Sequence, residues 1–277
     1  MADIAGKSDS FVHLHVHTEY SMLDGAARVK PLIEAAVEQG MPAIGISDHG
    51  NNFGAFDFYK TAKASGIKPV IGIEAYLSPG TPRQDRSRVR WGSGGEDDIS
   101  GGGAFTHMTM FAENTDGMYN LFRMSSKAWL DGFYFKPRMD RELLQTYGKG
   151  VIATTGCASG EIQTRLRLGQ YAEAKKAAGE FQEIFGKENF FAEVMDHGLD
   201  IERRSMSDLL KLAKELNMPL LATNDLHYTH AGDAVAHEAL LCVQSGSTLV
   251  DPTRFKFDSQ EFYLKTPAQM RALFPDH

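Results

Sequence analysis

The sequence predicts an α/β barrel of seven strand–helix units, on three observations. Short apolar or β-branched runs at 11–17, 42–47, 69–76, 105–111, 150–154, 189–195 and 219–223 alternate with helical patterns at 28–39, 53–65, 115–128, 159–184, 200–216 and 233–243. Alternation over this length implies a parallel sheet with crossover helices. Residues able to bind metal fall within or just beyond successive runs, which favours closure at a common rim over an open doubly wound sheet. No Gly-x-Gly-x-x-Gly follows the first run, so a dinucleotide site has no support and no nucleotide cofactor is expected.

The first run places His13, His15 and His17 at alternate positions, and Asp24 follows one loop later. Residues two apart on a strand share a face, so His15 and His17 can present their rings to one ion from a rigid support. His13 sits at the strand entry, where packing is the expected role. The second run, MPAIGIS, is closed by Asp48 and His49; the third, KPVIGIEAY, carries Glu74 near its end; the fourth, FTHMTMFA, contains His107. Cys157 follows VIATTG, and Asp225 and His227 follow MPLLATN. The sixth run ends in FAEVMDHG, where Glu193, Asp196 and His197 are candidates for supporting hydrogen bonds or for a general base. Asn224, beside Asp225, is a candidate orienting donor, and Arg165 and Arg167 are read as surface charges.

A 277-residue chain with 42% hydrophobic residues has the composition of an ordinary enzyme with a sizeable core. With 29 Lys and Arg against 36 Asp and Glu, the net charge of −7 is the wrong sign for a free-standing nucleic-acid binder. Bound divalent cations would invert that sign locally. Two cysteines make no disulfide framework, the start MADIAGKSDS lacks a signal peptide's apolar core, and no stretch approaches the roughly 18 apolar residues of a membrane span. A cytoplasmic location, reduced thiols and no membrane partner are therefore expected.

Residues 78–104 break the rhythm as a long Gly-rich loop, expected to be mobile. Arg83, Arg86, Arg88, Arg90 and Trp91 within it form a combination suited to phosphates and a stacked base. Residues 1–10 are expected to be a disordered tail, 11–250 the barrel domain, and 251–277 the start of a connection to further domains. In that last segment Thr266-Pro267 marks a helix start.

Imidazoles, carboxylates and one thiol suit Zn²⁺, Mn²⁺ or Fe²⁺ better than Mg²⁺ or Ca²⁺, and the thiol points most towards zinc. Nine candidate ligands, His15, His17, Asp24, His49, Glu74, His107, Cys157, Asp225 and His227, exceed the roughly four of a structural zinc, which implies two or three ions. Such clusters cleave phosphate esters. Cys157 at a strand-to-helix turn also has the setting of a nucleophile, but ligation is the more economical role.

The motifs HVHT…SMLDG, SDHGNNFGAFDFYK, GIKPVIGIEAY, FTHMTM, TTGCASGEIQ and ATNDLHY, in this order and over nearly the whole chain, resemble the amino-terminal PHP (polymerase and histidinol phosphatase) domain of bacterial replicative DNA polymerase III alpha subunits. The Arg-rich loop is similar to the actinobacterial form. The resemblance implies a distorted seven-stranded (β/α)7 barrel with three ions: His15, His17, Glu74 and Asp225 on one, Glu74, His107 and Cys157 on a second, Asp24, His49 and His227 on a third. Asp225, Glu74 and His107 are the expected catalytic residues. It further implies a proofreading 3′–5′ exonuclease acting on a single-stranded or mispaired DNA primer 3′ end. The partners would be the remaining polymerase domains of the natural chain and other replisome subunits. The palm that makes the parent protein a DNA-directed DNA polymerase lies outside this sequence. A metal-stabilised scaffold without catalysis and, more weakly, a small-molecule phosphomonoesterase are the competing readings.

Overall fold

A computed structural model describes residues 10–22, 24–92, 98–99 and 101–275. The tail expected at 1–10 lies outside the described residues save Ser10, as do 93–97 and residue 100 of the long loop. In chain order the helices and strands are α1 Val29–Glu38, β1 Ala43–Ile46, α2 Ala55–Ala64, β2 Lys68–Leu77, β3 Thr106–Ala112, α3 Thr115–Asp131, β4 Phe133–Tyr134, β5 Lys136–Met139, α4 Arg141–Tyr147, β6 Val151–Thr154, α5 Glu161–Arg167, α6 Tyr171–Phe185, β7 Phe190–Val194, α7 Asp200–Leu216, β8 Leu220–Ala222, α8 Ala234–Ser245 and α9 Pro267–Leu273. The fold is α/β, as expected. Among the described residues no helix is long and apolar enough to cross a membrane.

Side chains that satisfy orphan amides set several helix starts. Asn114 accepts from Gly117 N at 3.0 Å to open α3, and Asp140 accepts from Leu143 N at 3.0 Å to open α4. Thr266 and Gln269 cap each other's backbone ahead of Pro267, so α9 starts at the expected Thr-Pro. The single helix expected over 159–184 is two, because Gly169 takes φ +71 between α5 and α6.

Contacts divide the chain into two compact units: residues 1–48, 53–71 and 223–277, and residues 49–52 with 72–222. In the first unit, β1 runs parallel to Lys68–Ile71 of β2. The histidine segment is extended but forms a bridge only at Val16 and Leu226, where a full strand over 11–17 was expected. It is nevertheless held on both sides. Gly45 N donates to His13 O at 2.7 Å and Ser47 N to Val16 O at 2.9 Å, while His17 N donates to Leu226 O at 2.7 Å. Gly45 permits this approach, since a Cβ there would lie 2.6 Å from Leu14 O. Leu32, Ile33, Ile44, Ile46 and Phe58 fill the core beneath.

The second unit carries the sheet order β4-β5-β2-β3-β6-β7-β8. β2–β5, β6–β7 and β7–β8 are parallel, but β3 runs antiparallel to both β2 and β6. This corrects the all-parallel expectation. An apolar pattern fixes which face of a strand is buried but not its direction, and the long connection after β2 returns the chain beside it reversed.

The described part of the long loop is tied down by buried arginines. Arg138, fully buried, donates to the carbonyls of Gly132, Ala104, Arg83 and Asp85 at 2.7–3.2 Å. Arg83 is itself buried and paired with Asp131, Asp140 and Glu142, each at 3.1 Å. It is committed to structure, in contrast to the phosphate role suggested for it, whereas Arg86, Arg88 and Arg90 are exposed. Trp91 is covered by the Arg165 guanidinium, 4.2 Å from the ring centroid.

Candidate metal centre

In the first unit, the paired extended segments bring His15, His17 and Asp225 together. The Nε2 atoms of His15 and His17 lie 3.2 and 3.1 Å from the same Asp225 oxygen. His227 Nδ1 lies 3.7 Å from that oxygen and 2.8 Å from the Asp225 carbonyl, and its ring stacks on His17 at 4.3 Å. Asp225 has φ +40, a left-handed conformation that Asp tolerates better than most side chains.

Hydrogen bonds fix the His17 tautomer. Thr18 N donates to Asp48 at 2.6 Å and Ser21 Oγ to Asp48 at 2.7 Å. With its own proton so committed, Ser21 Oγ accepts from His17 Nδ1 at 2.9 Å. Nε2 therefore faces the Asp225 carboxylate either as an imidazolium or as a bare lone pair. As an imidazolium it pairs with the carboxylate directly; as a lone pair 3.1 Å from an anionic oxygen it needs a cation between them, and two imidazoles on one carboxylate are a donor set that fits a divalent metal ion. Burial opposes charge on Asp225, but His15, His227 and His17 outweigh it and hold the carboxyl well below the usual range.

In the second unit, Glu74 is the hub. Its two oxygens lie 2.6 Å from His49 Nδ1 and 3.0 Å from His107 Nδ1. Cys157 Sγ lies 3.4 Å from Glu74 and 3.7 Å from His107 Nδ1. Register explains the convergence: His49 bridges to Glu74, and His107 lies opposite Tyr76, which shares the Glu74 face of β2. Cys157 follows Gly156 at φ +76, a turn held at both ends of one residue. Gly156 N donates to Thr154 Oγ1 at 3.0 Å, and Gln163 Nε2 donates to Gly156 O at 2.7 Å. Two imidazoles, a carboxylate and a thiol also fit a borderline divalent ion.

His15, His17 and Asp225 of the first expected set thus come together, as do Glu74, His107 and Cys157 of the second. Of the third, His227 lies beside Asp225 and His49 beside Glu74. The Asp24 carboxylate belongs to no such group among the described residues; its carbonyl meets His237 Nε2 at 2.8 Å.

His13 is buried at Lys265 O, 2.9 Å away, and burial pushes its pKa down to about 4, in keeping with packing. Asn224 donates to the carbonyls of Glu261 and Tyr263 at 2.8 and 2.9 Å, and so supports the chain end next to Asp225. Glu193 accepts from Thr154 Oγ1, and His197 pairs with Glu202 at 2.5 Å. Arg165 and Arg167 are half-buried; Arg167 donates to Ala158 O at 2.8 Å, next to Cys157. Sequence reasoning gave no role to Ser21, Gln163 and His237: the first two stand at the ends of the motifs SMLDG and TTGCASGEIQ, and His237 lies on a helix with no motif to mark it.

The PHP domain family matches residues 13–197. The chain is 58% identical over 272 residues to the DNA polymerase III subunit alpha of Saccharopolyspora erythraea, covering 95% of this chain and 23% of that one. It is 55% identical over 270 residues to that of Mycobacterium tuberculosis strain H37Rv, covering 96% and 23%. The chain therefore spans under a quarter of the length of these relatives. Among solved structures, an amidohydrolase from Chromobacterium violaceum aligns at TM-score 0.45 and 13% identity, over 78% of this chain and 87% of its own, too loosely to bear on chemistry. The family match begins at the histidine segment and takes in all four members of the Glu74 cluster, and the chain belongs to the PHP domain family.

Proposed function

We propose that this chain is a metal-dependent phosphoesterase that releases nucleotides 3′ to 5′ from a DNA primer end, as the proofreading part of a replicative polymerase. The observation that carries the reading is the pair of carboxylates, Asp225 and Glu74, each with two imidazole nitrogens within 3.2 Å. Similarity to polymerase subunits supports DNA as the substrate and the rest of such a chain, with other replisome proteins, as partners.

His15, His17, Asp225 and His227 would hold one Zn²⁺ or Mn²⁺ ion, and His49, Glu74, His107 and Cys157 another. When bound, such ions lower the pKa of water to about 7 and stabilise charge on the attacking and leaving oxygens of a phosphodiester. The protein's own part is orientation. Ser21 and Asp48 keep His17 Nδ1 protonated so that Nε2 is the ligand atom, Glu74 serves both His49 and His107, and the clamped Gly156 turn aims the Cys157 thiol.

A metal-stabilised scaffold is the second reading, favoured by the complete burial of His15 and His17. Mononucleotide release from a 3′-mispaired primer decides between them, with chelator and His15→Ala as controls. Metal-dependent release abolished by both supports catalysis. Release unaffected by either, or seen in neither this chain nor the longer protein, removes it.

A further inference from the structure

The β4–β5 hairpin and the end of α3 hold aromatic rings in solvent beside the Glu74 cluster. Trp129, Phe133 and Phe135 are 40, 48 and 61% exposed. Trp129 and Phe133 stack at 5.5 Å, Tyr134 and Phe135 lie 4.5 Å apart, and the Arg88 guanidinium stands 5.2 Å over the Phe135 ring. Phe135 has φ +61, a strained conformation for a bulky side chain, and its ring is the most exposed of the group. Exposed rings held in pairs on one hairpin are a candidate binding surface.

The patch is joined to the candidate centre at several points. Trp129 Nε1 donates to Gly50 O at 3.0 Å, next to His49 in the chain. Pro137 packs on Gly50, where a Cβ would meet it at 2.8 Å. Lys136 Nζ lies 5.3 Å over the Tyr76 ring, which in turn stands 5.8 Å from His49 and 5.1 Å from His107. The cations favour a nucleic-acid occupant. Lysine is depleted from the core of a protein contact, whereas unpaired DNA offers bases to ring faces and phosphates to Lys136 and Arg88, with Arg86 and Arg90 exposed nearby in sequence.

We propose that Trp129, Phe133 and Phe135, with Arg88 and Lys136, form a stacking platform for the unpaired end of single-stranded DNA. The inference rests on the proposed DNA substrate, but its test is independent of hydrolysis. Anisotropy of a fluorescent oligothymidylate is measured against this chain in chelator, where no metal-dependent cleavage occurs. Phe135→Ala weakens binding about tenfold, Phe135→Trp restores it, and Arg88→Gln lowers the dependence of log Kd on log salt by about one unit. Phe56→Ala, an exposed ring under Lys60 on α2, leaves binding unchanged. Absence of binding, equal affinity of Phe135→Ala and the unsubstituted chain, or an equal loss on blunt duplex overturns the platform, and unchanged DNA affinity would assign the patch to a protein contact. If the platform binds DNA as described but metal-loaded protein releases no nucleotide, the exonuclease reading fails and the platform stands.

Discussion

The two donor clusters differ in how they are built. Around Asp225 the donors are nitrogens and oxygens on extended segments, with His15 and His17 fully buried and His17 braced by Ser21 and Asp48. Around Glu74 the donors include a thiol, two of the rings are partly exposed, and Cys157 depends on a glycine turn clamped by Thr154 and Gln163. A closed, buried donor set on rigid segments is suited to keeping all its ligands, and a partly open one to exchanging a ligand. Side chains that look equivalent in the sequence, histidines and carboxylates at strand ends, thus end in clusters of different burial and different donor chemistry.

The comparison breaks most visibly through the carboxylates. Asp225→Asn and Glu74→Gln are nearly isosteric, so each should leave the far-ultraviolet circular dichroism intact while lowering nucleotide release about a hundredfold or more. Metal analysis should show each variant losing one ion. Loss of both ions from either variant would mean that the clusters are not separable.

His13 sharpens the comparison from within the histidine segment, since it shares the alternation of His15 and His17 but meets Lys265 O instead of a carboxylate. Its pKa is about 4 in the folded chain against 6.5 ordinarily. The unfolded chain therefore takes up a proton first as pH falls. The stabilisation is full above pH 6.5 and is lost between 6.5 and 4, by about 3 kcal/mol. Urea unfolding across that range should show this slope, and His13→Gln should flatten it.

The cysteines offer a smaller contrast, because Cys157 and Cys242 are both buried and only the first lies in a donor cluster. Chelator should speed alkylation of Cys157 about tenfold and leave Cys242 unchanged. Faster labelling of Cys157 in the metal-loaded protein would make it a nucleophile. The smallest effect concerns support: Gln163→Leu should weaken cobalt binding at the Glu74 cluster about tenfold, read from thiolate-to-cobalt absorption, with the Asp225 cluster unaffected.

Most strand runs, and the side chains that the structure gathers around Asp225 and Glu74, were legible because His, Asp, Glu and Cys at the ends of such runs interrupt an apolar rhythm that a core alone would continue. The pairing of those donors was less so. His49 meets Glu74 through a single bridge whose register no spacing encodes, and Asp24 follows a loop whose path depends on contacts made by His237. The direction of β3 was hidden for the same reason, and the β4–β5 hairpin is too short to show a period. Buried Arg83 looked like a phosphate ligand because charge in a sequence carries no mark of burial.

Anomalous diffraction at the zinc and manganese edges tests most directly whether both clusters are metal sites. Peaks within bonding distance of Asp225 with His15 and His17, and of Glu74 with His49, His107 and Cys157, are the result expected. Protein soaked in both metals that gives no peak at either carboxylate would contradict it.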